Sequence, residues 1–441
     1  MDLAMYALRG LFGLAVLVGI AYLFSSDRKR INWRIVGIGI GIQLIFAVLI
    51  LKTKPGFLLF DFIGRAFTKI LSFTYEGSQF IFGPLGIPTS TEGSMAFIFA
   101  FQVLPTLIFF GSLMAILYHL KIIQPLVKGM GYFMARALKV SGAESLATAA
   151  NVFIGQTEAP LVVRPYVMGM TKSELMTLMA GGMATIAGGV LASYILFLGG
   201  DDPAAQAVFA AHLLSASIMS APAAIVVAKI LVPETETPQT SGTVDLAVTT
   251  TDSNVIEAAA NGASDGLKLA LNVGAMLLAF VAIIKMLNFL LALLGNPIIF
   301  GWEVYDLNAA IASWSNGNFT SLSLEAIFGF VFAPLAWAMG IETADILMFG
   351  RLLGEKVAIN EFLAYLSLGE LREVMSERSV YIATYALCGF ANFSSIAIQI
   401  GGIGGIAPER KSDVAKLGLK SVVGGALASW MTATIAGMLL G

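Results

Sequence analysis

The sequence predicts an all-α membrane protein: eight transmembrane helices, interfacial helices and two re-entrant hairpins in an inverted repeat. Three observations predict it. Of 441 residues, 57% are hydrophobic and 12% are charged, where a soluble domain carries roughly 25% charge. Eight apolar runs approach the roughly 20 residues that a bilayer demands of a helix. Two further apolar stretches are interrupted by polar residues at their middle.

The elements follow in chain order. Leu3–Phe24 lacks a basic leading segment and a small-residue cleavage site, so it reads as a first span and not a signal peptide. Val36–Leu51 is the second span. Lys52, Lys54, Arg65 and Lys69 fit an amphipathic helix lying in the interface. Met95–Leu117 is the third span, followed by the apolar segment Ile122–Leu138. Gly142–Val167 is apolar but broken at Gly155-Gln156-Thr157-Glu158-Ala159-Pro160. It fits a hairpin that enters the membrane and returns, which is tolerated where protein or water surrounds it. Leu175–Phe197 and Ala205–Leu231 are the fourth and fifth spans. Pro233–Val255 is rich in Thr, Asp, Glu and Ser and reads as a mobile cytoplasmic linker. Leu267–Leu294 is the sixth span, and Leu324–Met339 is a second apolar segment. Ala344–Leu368 is broken by Lys356 and Asn360-Glu361, as a second hairpin would be. Val380–Ile400 and Ser421–Leu440 complete the eight spans. The chain thus divides into 1–94, a first repeat 95–232, the linker 233–255 and a second repeat 256–441.

Lys and Arg placement sets orientation. Arg28, Lys29, Arg30 and Arg34 lie in the first loop. Lys121, Lys128, Arg136 and Lys139 follow the third span. Arg410, Lys411, Lys416 and Lys420 lie in the last loop. With these inside, both termini fall outside, as do Asp201-Asp202-Pro203 and Trp302–Asp306. Arg372 and Arg378 fit this scheme poorly.

The two halves read in the same order: apolar segment, broken hairpin, span, span. Ala187 lies 29 residues after Glu158, and Phe390 lies 29 after Glu361. Both mark interrupted spans, Thr185-Ile186-Ala187-Gly188-Gly189 and Cys388-Gly389-Phe390-Ala391-Asn392-Phe393-Ser394-Ser395. The charge pattern places the first hairpin inside and the second outside, so the repeats are inverted. Inverted repeats with broken helices meeting at mid-membrane characterise secondary transporters.

The polar residues in these breaks are the candidate site. A charge at the bilayer centre costs about 2.5–3.5 kcal/mol on insertion scales, a cost that a wet cavity and a ligand offset. Gln156 offers donors and an acceptor, Thr157 a hydroxyl, and Glu158 two acceptors. The plain alternative is a solvated interfacial loop, but long apolar flanks carry this tip to depth. Glu361 repeats the pattern; its alternative is a structural pair with Lys356 or Arg351. Asn392 and Ser395 opposite Glu361 could hold a vicinal diol, and Phe390 could stack on a planar ring, although helix packing accounts equally for these three. Asn151 and Thr185 could offer oxygens to a small hard cation beside unwound backbone. Glu158 or Glu361 could carry a proton instead, so the residues alone leave Na⁺ and H⁺ both open.

Other classes fit less well. His119 and His212 are the two histidines, and Cys388 is the single cysteine. This scarcity argues against a zinc site and a Ser-His hydrolase and rules out an intrachain disulfide. Both histidines read as packing or interface residues. At a net charge of −2 no polybasic partner is implied, and no nucleic-acid partner is expected. An enzyme using Glu158 and Glu361 as acid and base would lack a nucleophile, metal or phosphate loop. A passive channel is the other rival.

Three runs carry a resemblance to a known family. Gly155-Gln156-Thr157-Glu158-Ala159-Pro160-Leu161-Val162-Val163-Arg164-Pro165 is one. Gly354-Glu355-Lys356-Val357-Ala358-Ile359-Asn360-Glu361-Phe362-Leu363-Ala364-Tyr365 is the second. Ala386-Leu387-Cys388-Gly389-Phe390-Ala391-Asn392-Phe393-Ser394-Ser395-Ile396 is the third. In this order they resemble the motifs of the concentrative nucleoside transporters, and the resemblance runs from the first span to the last. It implies no enzyme and no cofactor, but a homotrimer in the bacterial inner membrane that imports nucleosides such as uridine on a cation gradient. By resemblance, Gln156, Thr157, Glu158 and Leu269 face the base. Glu361, Asn392, Ser395 and Phe390 hold the ribose. The side chains of Asn151 and Thr185, with backbone oxygens of Ile154 and Ile186, match the family's Na⁺ site. Thr185 stands where serine is expected and Leu363 where valine is usual. Thr157-Glu158-Ala159-Pro160 resembles the sodium-coupled branch, whereas proton-coupled relatives carry a Ser-Glu-Asn tip.

Overall fold

The computed structural model describes residues 3–87, 97–240, 252–299, 302–303 and 305–440. The start of the third expected span, residues 241–251 of the linker and Val304 lie outside the described residues. The fold is helical, with one two-residue antiparallel pair that sets Ile299 opposite Trp302.

Seven described helical segments are long and apolar enough to cross a membrane: Met5–Leu23, Trp33–Lys52, Phe99–His119, Lys172–Gly199, Pro203–Leu231, Val255–Gly295 and Pro408–Leu439. The expected seventh span, Val380–Ile400, is not one helix. It is two, Glu377–Leu387 and Phe393–Ile406, parted at Cys388–Asn392. Gly389 forces the break: its φ is +119°, and a Cβ there would sit 2.5 Å from the Met183 carbonyl oxygen. Lys172–Gly199 is likewise parted, into Lys172–Ala184 and Gly188–Gly199. The two breaks therefore lie against each other.

Two expected spans extend into charged sequence. The sixth begins at Val255, where the Asn254 side chain accepts from the Ile256 and Glu257 amides and caps a 41-residue helix. The last begins at Lys411, so Lys411, Lys416 and Lys420 sit on helix and not in a loop. Hydropathy registers only the apolar part of a helix that continues past the hydrocarbon.

Burial separates inner from outer segments. The most apolar windows of Lys172–Gly199, Pro203–Leu231 and Pro408–Leu439 are 78%, 89% and 83% buried. They pack on one another as the centre of the molecule. The remaining four windows are 33% buried or less, with Val255–Gly295 at 11%. An apolar helix left this bare by its own chain needs lipid or another chain beside it.

The order of elements repeats. Ile123–Leu138 precedes the paired helices Gly142–Asn151 and Ala159–Val162, then the broken helix, then Pro203–Leu231. Leu324–Ala338 precedes the paired helices Ile346–Ala358 and Glu361–Leu371, then the second broken helix, then Lys411–Leu439. Ser141 and Thr171 open their helices as capping boxes with Glu144 and Glu174. The Lys54–Phe82 helix carries Lys54, Arg65 and Lys69 on an amphipathic surface, with Phe57, Leu58 and Phe62 exposed.

The arginines that fit the charge scheme poorly have a structural reason. Arg378 donates to the carbonyls of Gly340 at 2.8 Å, Gly437 at 2.6 Å and Leu440 at 2.7 Å. Arg372 donates to the Leu198 carbonyl. Cations at helix carboxyl ends satisfy orphan carbonyls and oppose the dipole. Linker residues 233–240 are also tied down. Thr240 accepts from the Gly142 amide at 2.9 Å, and Glu234 meets Lys229 at 3.3 Å.

Candidate functional site

The turns of the two helix pairs and the two helix breaks converge. Asn360 and Asn392 are N-cap residues, their side-chain oxygens accepting from the Leu363 and Ser395 amides at 2.9 Å. Capping leaves the Asn392 amide group free to donate elsewhere, and it does so to Glu361 Oε2 at 2.6 Å. Tyr194 donates to the other carboxylate oxygen at 3.3 Å. Glu361 and Asn392 are 3% and 2% exposed, so the carboxylate is held by hydrogen bonds in a dry place.

Neither of the two nearby cations forms an ion pair with Glu361. Arg351 pairs with Glu355 at 2.6 Å. Lys356, fully buried, donates to Ala386 O at 2.8 Å, Ser429 Oγ at 2.7 Å and Cys388 O at 3.4 Å. It holds the carbonyls that the broken helix leaves unmatched.

The first turn meets the same break. Gln156 Nε2 donates to Ser395 Oγ at 3.1 Å, joining residues 239 apart in sequence. Gly182 makes room for the turn, since a Cβ there would come 2.8 Å from Gln156 Cβ and 3.4 Å from Asn151 Oδ1. Thr157 faces Gly402 on Phe393–Ile406, and the Glu158 carboxylate folds back over Gly155. Gln156 is buried, Thr157 half-buried and Glu158 exposed. Phe390 lies half-buried in the break between Cys388 and Asn392.

Asn151 and Thr185 stand beside this cluster. Asn151 Nδ2 donates to the Ala147 carbonyl at 3.1 Å, which fixes the amide's direction. Its Oδ1 is buried and has no hydrogen-bond partner. A buried acceptor left bare costs about 1–3 kcal/mol unless something fills it. Thr185 Oγ1 donates to Gly181 O at 3.0 Å, which leaves its lone pairs free. Ile154 and Ile186 lie at the adjoining turn and break, where Ser217 links the Val152 carbonyl to the Ile186 amide at 3.4 Å each. These are uncharged oxygen donors, the chemistry that suits a small hard cation.

Leu269 is 38% exposed on Val255–Gly295, and its apolar side chain has no hydrogen bond to give the polar cluster. Sequence reasoning missed Tyr194 and Gln399, which join the cluster, and took Lys356 for a break in the second apolar stretch or a partner of Glu361, where it clasps the helix break. Tyr194 stacks on Tyr365 with ring centres 4.2 Å apart. Its place in an apolar run carries no polar signal. Among the described residues, His212 contacts Tyr385 at 3.0 Å and belongs to aromatic packing.

Comparison with known proteins identifies the family. Residues 12–85 match a family model described as the N-terminus of the Na⁺ dependent nucleoside transporters, and residues 212–437 match that of their C-terminus. Residues 100–201 match one described as nucleoside recognition. An uncharacterized transporter of Haemophilus influenzae is 43% identical, with 99% of each chain covered. Solute carrier family 28 member 3 of Mus musculus is 40% identical over 97% of this chain, which spans 58% of that protein's length. The structure of CNTnw in an inward-facing substrate-bound state superposes with a TM-score of 0.85 at 40% identity, covering 98% of this chain and 99% of that one. This chain belongs to the concentrative nucleoside transporter family, the Na⁺ dependent nucleoside transporters.

Proposed function

We propose that the protein imports nucleosides by symport with Na⁺, through alternating access. The observation that carries this reading is the convergence of two uncharged and charged polar clusters on one pair of helix breaks. Gln156, Thr157 and Glu158 would read the base, with Leu269 on its apolar side. Glu361, Asn392 and Ser395 would hold the ribose hydroxyls beside Phe390. Na⁺, as the second cargo, would sit on Asn151 and Thr185 with the carbonyls of Ile154 and Ile186. Because Asn151 and Gln156 both border Gly182, filling the ion site would order the tip. Ion and nucleoside would then strengthen each other's binding reciprocally.

In this reading the paired helices are re-entrant hairpins of an inverted repeat, and 95–232 and 256–441 are its two halves. The bare apolar face of Val255–Gly295 and its neighbours supports a homotrimer in a bilayer, the bacterial inner membrane, with both termini outside. Uridine uptake into proteoliposomes decides the matter. We expect concentrative uptake on an inward Na⁺ gradient, lost when choline replaces Na⁺ at constant pH. Undiminished uptake in choline would replace Na⁺ by H⁺. Uptake that stops at equal concentrations would mean a channel, and chemically altered nucleoside inside would mean an enzyme.

A further inference from the structure

Gln399 lies one turn beyond Ser395 on Phe393–Ile406 and is 1% exposed. Its Nε2 stands 2.9 Å from the Met179 carbonyl and 3.1 Å from Gln156 Oε1. Both partners accept, so each takes one of the two amide hydrogens. The Met179 carbonyl cannot donate. Turning the Gln399 amide over would set oxygen against oxygen, and the backbone therefore fixes which end Gln399 shows to Gln156.

The orientation passes along a line. With Oε1 facing Gln399, the Gln156 amide must present Nε2 to Ser395 Oγ, at 3.1 Å. Ser395 accepts there and keeps its own proton to donate. Gln156 keeps one Nε2 hydrogen and one Oε1 lone pair, in an order set from outside. We propose that Gln399 is a positioning residue that sets the donor–acceptor polarity of Gln156 and so decides which base edge the site accepts. This rests on the reading of Gln156 as facing the base.

The chemistry names the discriminated pair. Uracil shows an N3–H donor beside an O4 acceptor, and cytosine shows an N3 acceptor beside an amino donor. The two edges are opposite, so a reversed Gln156 amide exchanges which one matches. Gln399→Glu performs the reversal. Protonated, the carboxyl's hydroxyl oxygen stands where Nε2 stood: it donates its one hydrogen to Met179 O and has only lone pairs left to offer Gln156 Nε2. Ionised, it can only accept from Gln156. Gln399→Met keeps length and removes the lock.

The experiment measures KM and Vmax for uridine and cytidine in proteoliposomes at saturating Na⁺. We expect a wild-type KM ratio away from one, moved about tenfold or more toward the opposite base in Gln399→Glu. In Gln399→Met we expect the ratio to relax toward one. A Gln399 with a purely structural role would lower Vmax or folded yield for both nucleosides and leave the ratio alone, which overturns the proposal. A wild-type ratio of one overturns it too. If Gln399→Glu fails to fold, Gln399→Met decides. Wild type that takes up neither nucleoside defeats the nucleoside reading itself, and this one with it.

Discussion

Asn392 Nδ2 lies 2.6 Å from Glu361 Oε2, and the same Asn392 caps the helix that carries Ser395. One side chain thus fixes both the carboxylate and the start of the half-helix facing it. Glu361→Gln replaces an all-acceptor group by one that must aim a donor at Asn392 or Tyr194. We expect nucleoside uptake to fall about 100-fold or more with folded protein retained. Uptake normalised to protein in the membrane checks it, and near-wild-type transport refutes the ribose assignment.

Thr185→Val keeps shape and removes one oxygen from the ion site. The Na⁺ concentration for half-maximal uptake should rise about tenfold, the size of one charge-assisted contact. Uridine KM at saturating Na⁺ should change little. An unchanged Na⁺ dependence would place the ion elsewhere.

Lys356→Met leaves the Ala386 and Cys388 carbonyls and the Ser429 hydroxyl without their donor. At about 1–3 kcal/mol for each buried group left bare, the variant should melt several degrees lower in detergent and lose uptake. A melting curve superimposable on wild type would show that the clasp is dispensable.

Lys229 and Glu144 form a pair at 2.8 Å, 4% and 1% exposed. Lys229→Met strands Glu144 at about 3–5 kcal/mol, whereas Glu144→Gln leaves Lys229 with Glu234 at 3.3 Å. Lys229→Met should therefore destabilise more than Glu144→Gln and more than the double variant does. Thermal unfolding of the four proteins measures the coupling; additive losses would show that the pair does not interact.

Cys388 is the single cysteine and is fully buried, so it gives a silent background for labelling. A cysteine at Arg28 should react with an impermeant maleimide only after the membrane is opened, and one at Asp201 without opening. The reverse pattern would invert the orientation read from Lys and Arg.

Much of the site was legible because polar residues inside apolar runs are expensive and therefore conspicuous. Gln156, Glu361, Asn392 and Asn151 stood out for this reason, and the break at Gly389 was visible as a polar interval in an apolar run. Gln399 was not legible. A lone glutamine among Ile and Gly has no spacing partner, and its meaning comes from Met179, 220 residues away in the chain. Arg372 and Arg378 looked misplaced because charge counting ignores helix carboxyl ends. The beginnings of Val255–Gly295 and Lys411–Leu439 were missed because polar helix outside the hydrocarbon resembles loop.

The Lys229–Glu144 pair has a consequence for how the protein senses voltage. Glu144 lies on Gly142–Asn151 and Lys229 on Pro203–Leu231, and as long as the ion pair holds, one moves only with the other. Two opposite charges at 2.8 Å move through an electric field as a dipole and carry no net charge. Displacing a lone charge through 100 mV is worth about 2.3 kcal/mol, but displacing this couple is worth almost nothing. Gating current should therefore be blind to the Lys229–Glu144 couple and report the cargo ion and the acidic charge left over, Glu234 also lying 3.3 Å from Lys229.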